Sequence, residues 1–289
     1  MKKISSLICA ILCLFGATSC LNNSNSETVT EQSFPSCFAH VVDMIQLSEA
    51  NYTDLGYQLR LNYSDLTAEV VISGLKTPDG TSYPTFSLKH IKWTVEEGSK
   101  IVVKGTDLVP EMSGFAAKPV FNTFRLELVN RTVDGTYFPG VSMTYTLNGR
   151  YSIVSSYADQ LLLAKTTSVS DGGEVFSTVS TQYVLNFNMA TNRLKITLKQ
   201  AKFVSGMPAM DIVFDNIPFT FSGNNAVWHV DALTPMLNGN PFAAFPITDL
   251  DGSLDFCGNF RLDFICDPAT MPGKYDVKAE GSFSFLPEA

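Results

Sequence analysis

Between residues 57 and 76 the chain reads YQLRLNYSDLTAEVVISGLK, with apolar residues at every second place. Leu59, Leu61 and Tyr63 share one face, and beyond the polar turn SDLT the pattern resumes at Val70 and Ile72. A period of two marks a strand with one buried face, and two such runs around a short polar turn mark an antiparallel hairpin. Residues 183–202, YVLNFNMATNRLKITLKQAK, repeat this at an offset of 126. Leu185, Phe187 and Met189 take the first three places, and Ile196 and Leu198 the last two.

The shared register continues. Gly80 falls on Gly206, Phe86 on Ile212, Leu88 on Phe214 and Ile91 on Ile217. Trp93, Thr94 and Val95 fall on Phe219, Thr220 and Phe221. After a slip of one residue, Leu108, Pro110 and Gly114 recur as Leu233, Pro235 and Gly239. At the far end Pro139-Gly140 and GRYSI (149–153) align with Pro272-Gly273 and GSFSF (281–285), where the offset has grown from 125 to 133. This predicts a tandem duplication, with one module over residues 37–157 and another over 158–289. The second copy is then about eight residues longer, somewhere in 240–272.

Within each copy short alternating runs are separated by Gly, Pro, Asn or Asp. That predicts an all-β fold of two antiparallel barrels or sandwiches. A module of this size buries enough surface to build its own core. The stretch CFAHVVDMIQL (37–47) reads equally as helix or strand.

Composition agrees. Hydrophobic residues make up 45% and charged residues 17%, and 21 Phe with 10 Tyr favour strands. The net charge of −8 argues against nucleic acid as a partner, because phosphate neutralisation needs a basic surface. It also disfavours docking on anionic lipid by charge alone.

The N-terminus, MKKISSLICAILCLFGATSC, has two lysines, an apolar run too short to span a bilayer, and small residues leading into Cys20. It resembles a bacterial lipobox of the looser kind found in Bacteroidota lipoproteins. The resemblance implies removal of residues 1–19, acylation of Cys20 and attachment to the outer membrane, on its periplasmic face or at the cell surface. Residues 20–36 then form a polar tether.

A second resemblance lies in LKQAKFVSGMPAMDIVFDNIPFT (198–220), whose run from Leu198 to Asn216 is similar to calycin-like β-barrel domains of Bacteroidota lipoproteins. It implies an eight-stranded barrel and no catalytic residues. The first copy lacks the Gly-Met-Pro of this run.

With Cys9 and Cys13 in the signal and Cys20 acylated, Cys37, Cys257 and Cys266 remain. A Cys257–Cys266 disulfide across an added loop is one reading. The other makes Gly258-Asn259 a hairpin turn, which carries Cys266 a strand's length away and leaves Cys37 to pair with either. None of them has the CxxC spacing of a zinc site.

Chemistry is sparse. His40, His90 and His229 do not align with one another between the copies, and no nucleophile elbow, HExxH or phosphate loop occurs. Asp249, Asp251 and Asp255 lie close in sequence but lack the twelve-residue calcium pattern. Neither a cofactor nor a metal is expected, and the chain reads as no enzyme. Trp93 and Trp228 are the candidate ligand-lining aromatics, though Trp93 shares a face with Val95 and reads as core. The sequence therefore supports a non-catalytic binding module for an apolar small molecule, lipid or glycan. The alternative is a structural or adhesion protein that binds envelope or host protein or polysaccharide through its outer faces.

Overall fold

A computed structural model describes residues 29–112, 118–133, 136–269 and 273–283. Cys20, the signal and most of the expected tether lie outside these residues. The first barrel comprises β1 (Val29–Asp43), β2 (Ser48–Asn62), β3 (Thr67–Ser73), β4 (Phe86–Glu96), β5 (Lys100–Leu108), β6 (Phe121–Val133), β7 (Thr136–Leu147) and β8 (Tyr151–Tyr157). They form a closed ring in chain order. The stretch read as ambiguous is the end of β1 and the turn that follows it.

The second barrel begins with β9 (Gln160–Ser170), β10 (Val175–Thr178), β11 (Gln182–Asn188), β12 (Arg193–Ala201) and β13 (Met210–Ser222). It continues with β14 (Asn225–Leu233), β15 (Met236–Leu237), β16 (Asn240–Pro241), β17 (Ile247–Asp255), β18 (Asn259–Cys266) and β19 (Tyr275–Ser282). Pairing of β12 with β13 and of β19 with β9 closes an eight-stranded ring over β9, β11–β14 and β17–β19. β10 extends the line of β11 along β9, and the β15–β16 hairpin lies on β13. The chain divides into two compact units between Ser155 and Ser156.

Alternation builds the walls. In β3 Ala68, Val70 and Ile72 are buried, and in β12 Leu194, Ile196 and Leu198 are. The duplication is also written in the backbone. Left-handed residues recur 126 apart at Leu47 and Gly173, Leu66 and Asn192, Gly74 and Gln200, and His90 and Asn216. Each non-glycine there costs roughly 1–2 kcal/mol, so a shared set of four marks one inherited chain path.

Three expectations need correction. First, the far-end alignment is shifted. The left-handed glycines before β8 and β19 are Gly149 and Gly273, so Gly149-Arg150-Tyr151 matches Gly273-Lys274-Tyr275 at an offset of 124. Arg150 O and Lys274 O accept from the equivalent turn residues Met44 and Asp171. Pro139 and Gly140 instead sit inside β7, opposite Asn130 and Val129. The second copy is shortened here, its β17 and β18 having 9 and 8 residues against 13 and 12 in β6 and β7. Second, β1 starts at Val29, so residues 29–36 belong to the wall and not to the tether. Cross-strand pairs replace apolar alternation there: Glu31 accepts from Arg60 Nε at 2.8 Å and Thr30 donates to Tyr63 Oη at 3.3 Å. Third, neither of the two cysteine pairings left open by the sequence forms: Cys257 and Cys266 are unbridged thiols, and so is buried Cys37. Cys257 lies in the β17–β18 turn and Cys266 at the far end of β18, roughly 30 Å along the strand.

The barrel interiors are filled. Phe34, Phe38, Phe121 and Tyr145 are fully buried in the first, and Tyr183, Phe203, Phe214, Phe256 and Phe264 in the second. Phe121 packs against Tyr145 at 5.2 Å and Phe86 at 5.7 Å, and Phe264 against Phe214 at 5.3 Å and Phe203 at 5.5 Å. Eight strands leave an interior just wide enough for such side chains.

Candidate functional site

Trp93 and Trp228, the candidate ligand-lining residues, are both core side chains, each 4% exposed. Trp93 Nε1 donates to Asn62 O at 3.2 Å and Thr67 O at 3.1 Å, and its ring meets Tyr63 edge-on at 5.2 Å. Trp228 stacks on Phe260 at 6.4 Å and lies over Gly252, where a Cβ would come within 2.3 Å of its Nε1. That Nε1 finds no acceptor among the described residues. The two indoles belong to different barrels.

The concave region of interest is on the outside of the second barrel. A groove of about 680 Å³ runs over β13, β14, β17 and β18. Strand alternation supplies its lining. While Trp228, Leu250, Leu254 and Leu262 point inward, the residues between them point out. Cross-strand register then sets two rows side by side. One runs Thr220, Val227, Ser253, Arg261, and the next His229, Asp251, Asp263.

Electrostatics organise the second row. His229 Nδ1 contacts Asp251 Oδ1 at 2.8 Å, and Nε2 contacts Asp231 Oδ1 at 2.9 Å. Hydrogen bonds donated to Asp231 and then to Asp251 raise the imidazole pKa above its ordinary value. A neutral imidazole has one N–H, so two carboxylate partners together select the imidazolium. Arg261 holds Asp263 through Nε and a terminal nitrogen, each at 2.6 Å. The groove thus offers charged donors and acceptors on a rigid sheet.

The remaining candidates do not converge with it. His40 contacts Asn51 Oδ1 at 2.9 Å and Glu49 at 3.5 Å in the first barrel. His90 occupies an exposed left-handed position. Of the three aspartates, Asp251 holds His229, while Asp255 accepts from the N–H groups of Cys257 and Asn259 in a turn. Among the described residues no His/Cys/Asp/Glu group has metal-binding geometry. Sequence reading identified His229 and Asp251 separately. Only the β14–β17 register joins residues 22 apart, and the alternation in VWHV and DGSLDF was the signal that both point outward.

No family model and no curated protein match the chain. Among solved structures, a candidate outer-membrane protein of Bacteroides fragilis is similar over 87% of this chain and 96% of its own, at 13% identity and a TM-score of 0.36. A transferrin binding protein B double mutant from Haemophilus parasuis matches over 89% of this chain and 76% of its own, at 5% identity and a TM-score of 0.25. Transferrin binding protein B of Neisseria meningitidis serogroup B matches over 87% and 76%, at 9% identity and a TM-score of 0.24. At these identities and TM-scores the likeness assigns neither a family nor a ligand.

Proposed function

We propose that the chain is a tethered, non-catalytic binding protein that takes a neutral glycan on the outer groove of its second barrel. The observation that carries this is the contrast between filled lumens and an open outer groove that sets polar side chains beside Pro218, Phe219 and Val227. An apolar ligand inside either barrel would have to displace fully buried aromatics such as Phe121 or Phe264. Outside, Thr220, Ser253, Arg261, His229 and Asp251 present hydrogen-bonding groups of the kind that sugar hydroxyls meet as both donors and acceptors. Both ring nitrogens of His229 are already engaged, which suits a fixed contact and not a proton carrier. The lipobox-like sequence ending at Cys20 supports a lipid tether to the outer membrane.

Titration calorimetry of the tether-cleaved protein against soluble neutral polysaccharides, with polygalacturonate as the acidic comparison, tests this. Binding to a neutral chain should fall at least fivefold in Arg261→Ala and in Asp251→Ala. If no polysaccharide binds, or if neither variant changes binding, the groove reading fails. An apolar molecule retained by the delipidated protein in native mass spectrometry would return the argument to the lumen.

A further inference from the structure

The turn between β1 and β2, residues 44–47, is Met-Ile-Gln-Leu, and its apolar side chains stand in water. Met44 is 44% exposed, Ile45 66% and Leu47 86%. Leu47 also adopts φ +52°, a conformation that glycine or asparagine takes at lower cost. The turn is well supported from below. Buried Asp43 accepts from Ile45 N at 3.0 Å, Gln46 N at 3.1 Å and Arg150 Nε at 3.0 Å, and Met44 N donates to Arg150 O at 2.9 Å.

The second barrel supplies an internal control. Its equivalent turn is Asp171-Gly172-Gly173, tied by the same backbone bond from Asp171 N to Lys274 O at 3.1 Å. Gly173, at φ +81°, stands where Leu47 does. The fold therefore makes this turn from polar residues and glycine, and nothing in it calls for apolar ones. In the first copy strain and exposure are both tolerated.

We propose that residues 44–47 are a docking finger for a protein partner that presents an apolar pocket. This stands apart from the groove, which is on the other barrel. The chain enters the first barrel at Val29 and leaves it at Tyr157, both at the end opposite the finger. β1 alone separates the two ends by roughly 50 Å of strand. The finger thus points away from the end that carries the tether. Its flanks do not suit anionic headgroups: Glu49 is 63% exposed, and Arg150 is taken up by Asp43 and Asp79. A second copy offers no purely apolar pocket on its described residues: the grooves set charged side chains beside their apolar lining, Arg261 and Asp263 beside Phe219 and Val227, Lys104 and Arg125 beside Phe124 and Tyr145. A convex apolar tip beside an exposed carboxylate fits a protein pocket with a positively charged rim.

The test uses the full chain on intact cells of its source, with benzoylphenylalanine replacing Ile45 or, as control, Gly172. Illumination should give one discrete protein adduct from position 45 and none from 172. That protein, once purified, should bind the unmodified chain, and Ile45→Asp and Leu47→Gly should each weaken binding at least tenfold. Leu66→Asn, at the opposite end, should leave it unchanged. Leu47→Gly relieves the left-handed strain, so lost binding with undiminished thermal stability cannot be misfolding. The proposal is overturned by the absence of an adduct, by equal adducts from both positions, by an adduct that is lipid or a second copy, or by binding indifferent to Ile45→Asp and Leu47→Gly.

Discussion

Around one layer of the first barrel the inward residues run Trp93, Val103, Leu126, Met143. Around the same layer of the second they run Phe219, Trp228, Gly252, Leu262. Each layer holds one indole, moved by one strand between copies, and the position beside it across the sheet shrinks from Leu126 to Gly252 to make room. The outward residues next to this layer changed differently. Lys104, Arg125 and Thr144 of the first barrel stand where His229, Asp251 and Asp263 stand in the second. Inside, substitution is compensated because packing density is fixed. Outside, charge has reversed with no fold requirement. Duplication has therefore not given two copies of one binding face, which weakens avidity for a single ligand as its purpose.

The largest effect expected from this comparison is at Gly252. Gly252→Leu drives a side chain into Trp228 and should destabilise the second barrel by about 3 kcal/mol. Adding Trp228→Val recreates the Val103–Leu126 pair and should recover at least half of that loss. We propose that the two barrels unfold as separate domains, divided near residues 155–157. Calorimetry should then resolve two transitions, of which these variants move one. A single merged transition removes the domain boundary, and a Gly252→Leu protein as stable as its parent removes the packing argument.

Much of this was legible beforehand, for a physical reason. Period-two alternation is enforced along the whole wall, so Leu59, Val70, Leu185 and Ile196 announce both strands and duplication. What stayed hidden depends on register and on which turn closes a hairpin. A turn at Gly258, left-handed at the tip between β17 and β18, was one of the two readings of the cysteines, but that the same turn undoes the far-end alignment was not legible. The first strand was cut short because Thr30 and Glu31 bond to Tyr63 and Arg60, and Gln32 to Tyr137, polar contacts that a search for apolar alternation passes over. The groove was invisible for a similar reason: its rows exist only after four strands are laid side by side.

Acid should separate the barrels next. In the first, Arg150 holds the Asp43 carboxyl down at about pH 2, helped by the Ile45 and Gln46 N–H groups and opposed by burial. Its equivalent in the second, Ser170, does not titrate. A carboxyl depressed in the folded state stabilises above its unfolded pKa of about 3.9 and loses that contribution as pH falls toward 2. Asp65 and Glu111 are also held low in the first barrel; in the second, against burial, Lys199 and the Gln200 N–H lower Asp211, while burial raises Asp159. Each barrel has one tryptophan, so Trp93→Phe and Trp228→Phe backgrounds report on them separately. Between pH 4 and 2 the first barrel should lose more stability, and Asp43→Asn should flatten its acid limb. Parallel acid limbs in the two backgrounds would show that the Asp43 network contributes nothing specific.

The smallest effect lies on the outer face, where the copies differ in charge. His229 is exposed, so its bonds to Asp231 and Asp251 add little to stability, but they do so with a definite sign. Its folded pKa is raised by those carboxylates. The contribution is complete below the unfolded value near 6.5 and disappears as pH rises through the folded value. A proton resonance of the His229 ring should therefore titrate above 6.5 and move down in Asp251→Asn and Asp231→Asn. Between pH 6 and 8 the unfolding midpoint of the second barrel should fall slightly, and His229→Gln should abolish that slope while leaving the first barrel untouched. Loss of one N–H in this interval also frees a carboxylate at the groove, so glycan affinity should change over the same pH range. An unshifted His229 resonance would mean that the two carboxylates do not hold the imidazolium in solution, and the row would then be an ordinary exposed sheet face.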